Sequence, residues 1–216
     1  MSDLGAMTIE DVDLSELAMA RRSSIESKVD NVLYATLRVI AEGGIDAVTH
    51  RRVAEVAELP VGSLTYHFKS REQMIREAFK RFLDDAIRAK RYFEDQLGGL
   101  SLANYVQVIA LTSRTDLTLP YWKAELELWT YAARDDDLSK DVIAKTREIN
   151  ATLAELLEAE GVDRPMQSAA TLQGVVSGYE MQRLLNPDLS ITVLEERLQL
   201  TLDAILDRAR EQKPSR

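Results

Sequence analysis

The sequence predicts an all-α protein of about nine helices, and three observations carry this prediction. Apolar residues recur at spacings of three and four along most of the chain, which is the period of a helix with one buried face. No segment alternates strictly between apolar and polar residues, as a half-buried strand would. Helix caps and glycine or proline stops divide the 216 residues into segments of helical length.

The first four helices are predicted from their capping residues. Ser23 and Glu26 match a capping box, in which each side chain satisfies a free backbone N–H at the helix start. Ser70 and Gln73 repeat this pattern, and Thr49 is a good N-cap for the short helix between them. In chain order, these signals place helices at residues 23–43, 49–57, 61–67 and 70–96.

Five further helices are predicted downstream. Pro120 and Pro165 are placed in first turns, where a missing N–H costs little. Gly161 and the pair Asn186-Pro187 supply stops. The expected helices lie near residues 101–115, 120–135, 138–160, 166–186 and 191–212.

Composition excludes several classes of site. The chain has no cysteine, which rules out disulfides, thiolate metal sites and a cysteine nucleophile. It has two histidines and no nucleophile elbow, P-loop or zinc-protease motif, so we expect no enzyme, no metal site and no cofactor. No apolar run is long enough to span a membrane, and the first twenty residues lack the features of a signal peptide. We therefore expect a cytoplasmic protein without a membrane partner.

The charge of the chain is unevenly distributed. Its net charge of −9 is unfavourable for nucleic-acid binding. Residues 1–20 carry five acidic and no basic residues, and we expect them to form an acidic flexible leader. Residues 21–80 carry ten basic against eight acidic residues, which makes them the net-positive segment. A nucleic-acid contact is therefore most compatible with residues 21–80.

One segment carries the functional signal. Residues 49–71 read THRRVAEVAELPVGSLTYHFKSR, which predicts two short helices separated by a break at Leu59-Pro60. Small or apolar residues are expected where the two helices cross: Val53, Ala54, Ala57 and Leu64. The outer face of the second helix would present short polar and aromatic groups to a DNA major groove: Val61, Ser63, Thr65, Tyr66 and His67. The alternative is a helical hairpin in a core, and the polar residues on this face argue against it.

These motifs resemble the DNA-binding domain of the TetR family of regulators. The resemblance rests on Gly62-Ser-Leu-Thr-Tyr-His-Phe68, preceded by Thr49-x-Arg51 and followed by Lys69-Ser-Arg-Glu-Gln-Met-Ile75. It covers about residues 25–80. It implies a nine-helix, mostly dimeric repressor whose first three helices read double-stranded DNA with a palindromic operator.

The resemblance also implies a domain division and a set of DNA contacts. Residues 21–69 would form the helix-turn-helix domain, and residues 70–216 a ligand-binding and dimerisation domain. Arg51 would reach a phosphate or a guanine edge, and Phe68 would be a core residue. For His67, the alternative is a structural histidine at a helix end. The implied DNA-binding residues are Thr49, His50, Arg51, Val61, Gly62, Ser63, Thr65, Tyr66, His67, Lys69 and Arg71.

Two positions depart from the family pattern. Glu58 stands where the family commonly has glycine. If its backbone is left-handed, we expect it to store roughly 1–2 kcal/mol of strain. Thr65 stands where the family commonly has tyrosine, so a phosphate-binding phenol is lost unless Tyr66 compensates.

An unknown small-molecule effector is implied for the second domain. Aromatic and apolar residues at helical spacing form either core or pocket lining there. Glu125 and Glu127 would either select a cationic ligand or lie on a solvated helix face. The predicted ligand-binding residues are Tyr105, Ile109, Trp122, Leu126, Trp129 and Met181.

The last two predicted helices carry apolar stripes that suggest a homodimer. Two helices from each subunit would form a four-helix interface. A dimer is expected because one short DNA-reading helix, predicted at residues 61–67, recognises too little DNA. The alternative is packing within one subunit. The predicted interface residues are Leu172, Gly174, Val176, Gly178, Tyr179, Leu194, Leu198, Thr201 and Ile205.

The function predicted from these observations is sequence-specific transcriptional regulation. We expect a repressor that a small-molecule ligand releases from its operator. The alternative is a helical scaffold or partner-binding protein without DNA specificity, which would not bind a palindromic fragment with steep salt dependence.

Overall fold

The computed structural model describes residues 27–96, 99–113 and 115–212. In these ranges the chain forms nine α-helices, one short 3₁₀ helix and no strand, which confirms the all-α prediction. The leader predicted for residues 1–20 lies outside the described residues. The 3₁₀ helix is Ile45–Ala47. The α-helices are α1 Lys28–Gly43, α2 His50–Ala57, α3 Val61–His67, α4 Arg71–Gln96, α5 Leu102–Thr112, α6 Thr115–Ala132, α7 Asp136–Ala159, α8 Pro165–Leu185 and α9 Ile191–Gln212.

The start of α1 differs from the prediction. Ser27 has extended backbone angles, and its side chain accepts a hydrogen bond from the Asp30 N–H at 3.1 Å. Ser27 is therefore the N-cap of this helix, which begins at Lys28. The predicted capping box of Ser23 and Glu26 lies outside the described residues.

The predicted caps of α2 and α4 are confirmed. The Thr49 hydroxyl accepts a hydrogen bond from the Arg52 N–H at 3.1 Å. At the start of α4, the Gln73 N–H donates to the Ser70 hydroxyl at 3.1 Å. The Gln73 side-chain oxygen accepts from the Lys69 N–H at 2.8 Å, which completes a reciprocal cap.

The downstream helices are where the sequence predicts them, with one shifted start. Pro165 occupies the first turn of α8, as predicted, and α9 has the predicted bounds. However, α6 begins at Thr115, so Pro120 lies in its second turn and not in its first. The prediction failed because proline was used as a start signal, whereas tertiary packing can extend a helix beyond it.

The described residues pack into two compact units, each built from separate parts of the chain. Among the described residues, one unit combines 27–89 with 118–146, and the other combines 90–96, 99–113 and 115–117 with 147–212. The three helices of the predicted DNA-binding domain, α1 to α3, are called the reader below. They share a unit with most of α4, the larger part of α6 and the start of α7. The predicted domain boundary after residue 69 stays a prediction.

Each unit has its own apolar core. In the unit that contains α1 to α3, fully buried side chains include Leu37, Leu64, Phe79 and Leu128. In the other unit, α5, α7, α8 and α9 contribute one continuous cluster of buried residues centred on Tyr179, Leu157 and Leu198. No helix among the described residues has the length and hydropathy needed to cross a lipid bilayer.

Candidate nucleic-acid interface

The turn between α2 and α3 is closed by a left-handed residue. Glu58 has φ 56° and ψ 40°, and it is the one non-glycine residue with positive φ in the described part of the chain. The Leu59 N–H donates to the Ala54 carbonyl at 3.0 Å and the Glu58 N–H donates to the Glu55 carbonyl at 3.2 Å. This pair of hydrogen bonds is the Schellman motif, which normally places glycine at this position. The conditional prediction for Glu58 therefore applies, and its backbone is strained.

The two faces of α3 differ sharply in exposure. Leu64 is fully buried and Phe68 is 3% exposed, so these two side chains hold the helix against the core. On the opposite face Tyr66 is 74% exposed and Val61 is 43% exposed. Thr65 and His67 are also exposed, and Ser63 is half-buried. The predicted outward face of the second helix is thus accessible along its length.

Gly62 lies on this accessible face. A Cβ atom built there would meet no atom within 4 Å. Packing within the protein therefore does not require glycine at this position. A glycine without an internal reason is expected where a second molecule approaches the backbone closely.

The N-terminus of α2 lies at the same surface. Thr49 and Arg51 are exposed. The residues predicted to pack where the helices cross are buried, with Val53 at 0%, Ala54 at 2% and Ala57 at 5% exposed. The outer side of α2 is thus left available, as a helix-turn-helix reader requires.

His50 makes a contact within the protein that the sequence did not predict. Its Nε2 atom lies 3.0 Å from the Phe68 carbonyl oxygen, at the C-terminal end of α3. A carbonyl can only accept, so Nε2 carries the proton and donates. His50 therefore ties the start of α2 to the end of α3 through one ring nitrogen, and its predicted contact with DNA stays a prediction.

The two basic residues after α3 behave differently from each other. The Lys69 ammonium lies 3.2 Å from the Tyr66 carbonyl oxygen and 5.8 Å from the centroid of the Tyr66 ring. Lys69 is exposed and remains at the surface of α3. The Arg71 guanidinium instead donates to three groups of the α1–α2 loop, at Ile45, Asp46 and Val48. The Arg71 side chain is thus engaged within the protein, and its predicted phosphate contact stays a prediction.

A partly buried polar network that the sequence analysis missed connects α1 to α4. The Tyr34 hydroxyl donates to the Asp85 carboxylate at 2.5 Å, and Arg81 Nε donates to the same carboxylate at 3.1 Å. Arg81 also pairs with Asp30, and Arg88 donates to Asp85 at 2.9 Å. The charged side chains of Asp30, Arg81 and Asp85 are only 12–15% exposed. No spacing rule indicates this network, because its members lie up to 51 residues apart.

Three of the predicted ligand-binding residues lie in the unit that contains α8, and they differ in exposure. Tyr105 is 5% exposed inside the core cluster of its unit, and Ile109 packs against that cluster. Met181 is 54% exposed, and it lies outside the cluster. Met181 projects from the outer side of α8, and the assignment of these residues to a ligand site stays a prediction. Burial raises the pKa of the Tyr105 phenol far above its ordinary value.

The aromatic face predicted for α6 is partly described. Trp129 is 39% exposed and Leu126 is 42% exposed, whereas the side chain of Trp122 lies outside the described residues. The Trp129 ring meets Phe79 of α4 edge to face, with 5.8 Å between ring centroids. Its indole N–H donates to Glu125 at 3.0 Å. Desolvation raises the pKa of the Glu125 carboxyl, and the hydrogen bond from Trp129 partly opposes this shift.

Most of the predicted dimer residues are buried within the subunit. Five of them are at most 5% exposed and pack in the core cluster: Leu172, Val176, Tyr179, Leu194 and Leu198. This part of the prediction is corrected, because a side chain already covered by its own chain cannot add contact area to a partner. Thr201 and Ile205 are half-buried, and they line a groove of about 420 Å³ between α8 and α9. Gly174 and Gly178 are exposed, with open space where a Cβ would lie.

The α1–α4 segment matches a known family model. Residues 32–78 match the model described as bacterial regulatory proteins, tetR family. The HTH-type transcriptional repressor KstR2 of Mycolicibacterium smegmatis is 41% identical over 58 residues, which cover 27% of this chain and 28% of that protein. The matched segment of the Rhodococcus jostii KstR2 repressor covers 36% of its length. The chain is thus aligned with about a third of the length of these two relatives.

Solved structures match over most of the chain. A transcriptional regulator from Rhodococcus sp. RHA1 gives a TM-score of 0.75 at 21% identity, covering 85% of this chain and 98% of that one. A transcriptional regulator from Streptomyces coelicolor A3(2) gives a TM-score of 0.61 at 29% identity, covering 81% and 97%. The nine-helix arrangement is therefore the one these regulators share.

Proposed function

We propose that the chain is a sequence-specific DNA-binding repressor of the TetR family, a family of regulators and not of enzymes, because residues 32–78 match that family's model and a repressor is 41% identical over 58 residues. It binds a palindromic operator as a homodimer, and a small-molecule ligand releases it. The observation that supports DNA reading most directly is the exposed face of α3.

The proposed contact surface comprises the outer side of α3 and the start of α2. Tyr66 and His67 offer a phenol and an imidazole to base edges or phosphates, and their rings meet edge to face with 5.0 Å between centroids. Thr49 and Lys69 flank this surface and are suited to phosphate. Its polar and aromatic groups would be poorly placed in a core, whereas they suit a wet, polar groove.

Selection of duplexes from a random pool tests DNA reading. We expect the wild-type chain to enrich a palindrome whose half-sites lie about 34–36 Å apart. Tyr66→Ala should weaken binding of that duplex about tenfold, because a typical specific contact is worth roughly 1–3 kcal/mol. Gln199→Ala, an exposed substitution on α9, is the matched control and should leave affinity unchanged. Weak binding without sequence preference and without salt dependence would instead favour a scaffold.

The proposed dimer interface uses the outer face of α8 and its groove with α9. Gly174 and Gly178 let a partner helix approach closely. Exposed apolar side chains also occur on these two helices, with Leu185 of α8 at 89% and Leu200 of α9 at 72% exposed. An apolar surface of this kind on a folded subunit is typical of an interaction site.

A charged substitution on α8 tests the dimer. Gly178→Glu should shift the sedimentation coefficient from dimer to monomer at micromolar concentration, while helicity stays unchanged because the new side chain enters open space. Ala144→Glu introduces the same charge at an exposed site on α7 and should leave the dimer intact. A monomeric wild-type chain would contradict the proposed assembly.

Release by a ligand is proposed to involve α6. Trp129 and Leu126 keep part of their surface accessible while Trp129 also contacts Phe79 on α4. A ligand that changes the position of Trp129 would therefore act on the helix that follows the reader. Candidate ligands should alter the fluorescence of the wild-type chain and not that of Trp129→Phe. A ligand that releases DNA without any fluorescence change would exclude this site.

A further inference from the structure

The loop between α1 and α2 is held by the first turn of α4. Arg71 Nε donates to the Val48 carbonyl at 2.9 Å, and Arg71 Nη2 donates to the Ile45 carbonyl at 2.6 Å. Nη2 also lies 3.3 Å from the Asp46 carboxylate. The Arg71 side chain is 31% exposed, whereas Val48 is fully buried. A guanidinium with two backbone acceptors in one loop fixes both the distance and the direction of that loop.

The same loop is also contacted from α6. Glu127 Oε2 accepts a hydrogen bond from the Ile45 N–H at 3.5 Å. Its second oxygen, Oε1, lies 3.5 Å from the point where a Cβ on Gly44 would be placed. Gly44 has φ 76°, so a larger residue there would be strained and would also crowd this carboxylate. Ile45 is thus bound at its N–H by α6 and at its carbonyl by α4.

The loop leads directly into the proposed DNA surface. Val48 precedes Thr49, which caps α2 and is exposed beside the α3 face. We infer that Arg71 and Glu127 are positioning residues of the reader, which place the N-terminus of α2 for DNA from two different helices. This inference rests on the proposed function and extends it. It assigns α6 a direct contact with the reader, in addition to the covalent continuity of the chain from α3 to α4.

Salt dependence separates a positioning role from a phosphate contact. Each phosphate contact contributes about 0.9 to the slope of log affinity against log salt concentration. Arg71→Met, measured on the duplex that the wild-type chain selects, should weaken binding roughly tenfold with an unchanged slope. Lys69→Met removes the same charge from the exposed surface and should make the slope shallower. A slope reduced by about 0.9 per subunit in Arg71→Met, or an unchanged affinity, would overturn the inference.

Amide exchange tests the α6 contact without DNA. Glu127 is exposed, so Glu127→Ala should not unfold the chain. We expect the Ile45 N–H to exchange about 2- to 10-fold faster in this variant, since one hydrogen bond to a charged acceptor is lost. The Gly44 N–H, which donates to the Ile40 carbonyl at 2.8 Å, is the internal control. Unchanged exchange at Ile45 would refute the α6 contact. If the wild-type chain selected no duplex while Ile45 exchanged faster as expected, the proposed function would be refuted. The contact of Glu127 with the α1–α2 loop would still be confirmed.

Discussion

Replacing Glu58 by glycine should stabilise the protein. A left-handed backbone costs a residue with a Cβ about 1–2 kcal/mol, and glycine avoids this cost. Glycine also loses more conformational freedom on folding, which opposes the gain by about 0.5–1 kcal/mol. The difference leaves a net stabilisation of about 0.5–1 kcal/mol. The two hydrogen bonds of the turn are donated by the backbone N–H groups of residues 58 and 59, so they persist in the variant.

Urea unfolding of Glu58→Gly and Glu58→Ala measures this difference. Both variants remove the exposed carboxylate, and only glycine removes the Cβ. We expect Glu58→Gly to be more stable than Glu58→Ala by about 0.5–1 kcal/mol with an equal dependence on urea concentration. A Glu58→Gly variant less stable than Glu58→Ala by about 0.5–1 kcal/mol, which is the entropic cost of glycine alone, would mean that the left-handed conformation stores no strain. Duplex affinity should not change, since the turn keeps its geometry.

Three further outcomes are expected. Gly62→Ala should raise the melting temperature, because alanine favours the helix by up to about 1 kcal/mol and its Cβ would meet no atom within 4 Å. The same variant should bind the selected duplex more weakly than the wild-type chain. Undiminished binding would contradict a close approach of DNA to this glycine. Glu125→Gln should raise the free energy of unfolding, measured with urea, at pH 7.5 and raise it less at pH 5.5. The pKa of the Glu125 carboxyl is raised in the folded state above its ordinary 4.5, so ionisation of this group disfavours folding at high pH and not at low pH. Arg81→Met should lower the free energy of unfolding in urea by about 3 kcal/mol, since the partly buried carboxylates of Asp30 and Asp85 would keep their charges without this guanidinium. A decrease below about 1 kcal/mol would refute this prediction.

Local sequence signals were sufficient for the helices of the reader. Thr49 and Ser70 cap helices through hydrogen bonds to N–H groups three residues away, so their roles can be read from a short window. The outward face of α3 was predictable for the same reason, because the helical period separates Leu64 from Tyr66. The start of α1 was not predicted, since serine is a favoured N-cap residue and both Ser23 and Ser27 offer this signal to a reading of the sequence.

Long-range contacts at the site could not be predicted from the sequence. His50 and Arg71 have the residue types of DNA contacts, yet each bonds to a carbonyl at least 18 residues away along the chain. The stripe on α8 was correctly identified as apolar, but an apolar stripe does not reveal whether its partner is the same chain or a second copy. Tyr179 shows this, because its hydroxyl donates to the Leu189 carbonyl within the subunit. Such assignments need the three-dimensional arrangement.

The placement of α6 changes how a ligand signal would reach the reader. If α4 alone connected the two, a substitution in α6 would affect DNA binding only through α4. However, α6 shares a compact unit with α1 to α3, and Glu127 contacts the loop before α2 directly. Trp129, two residues further along α6, contacts Phe79 on α4. A ligand that moved this part of α6 would therefore act on both α4 and the α1–α2 loop, so that a single displacement would change the placement of α2 and the support of α3 together.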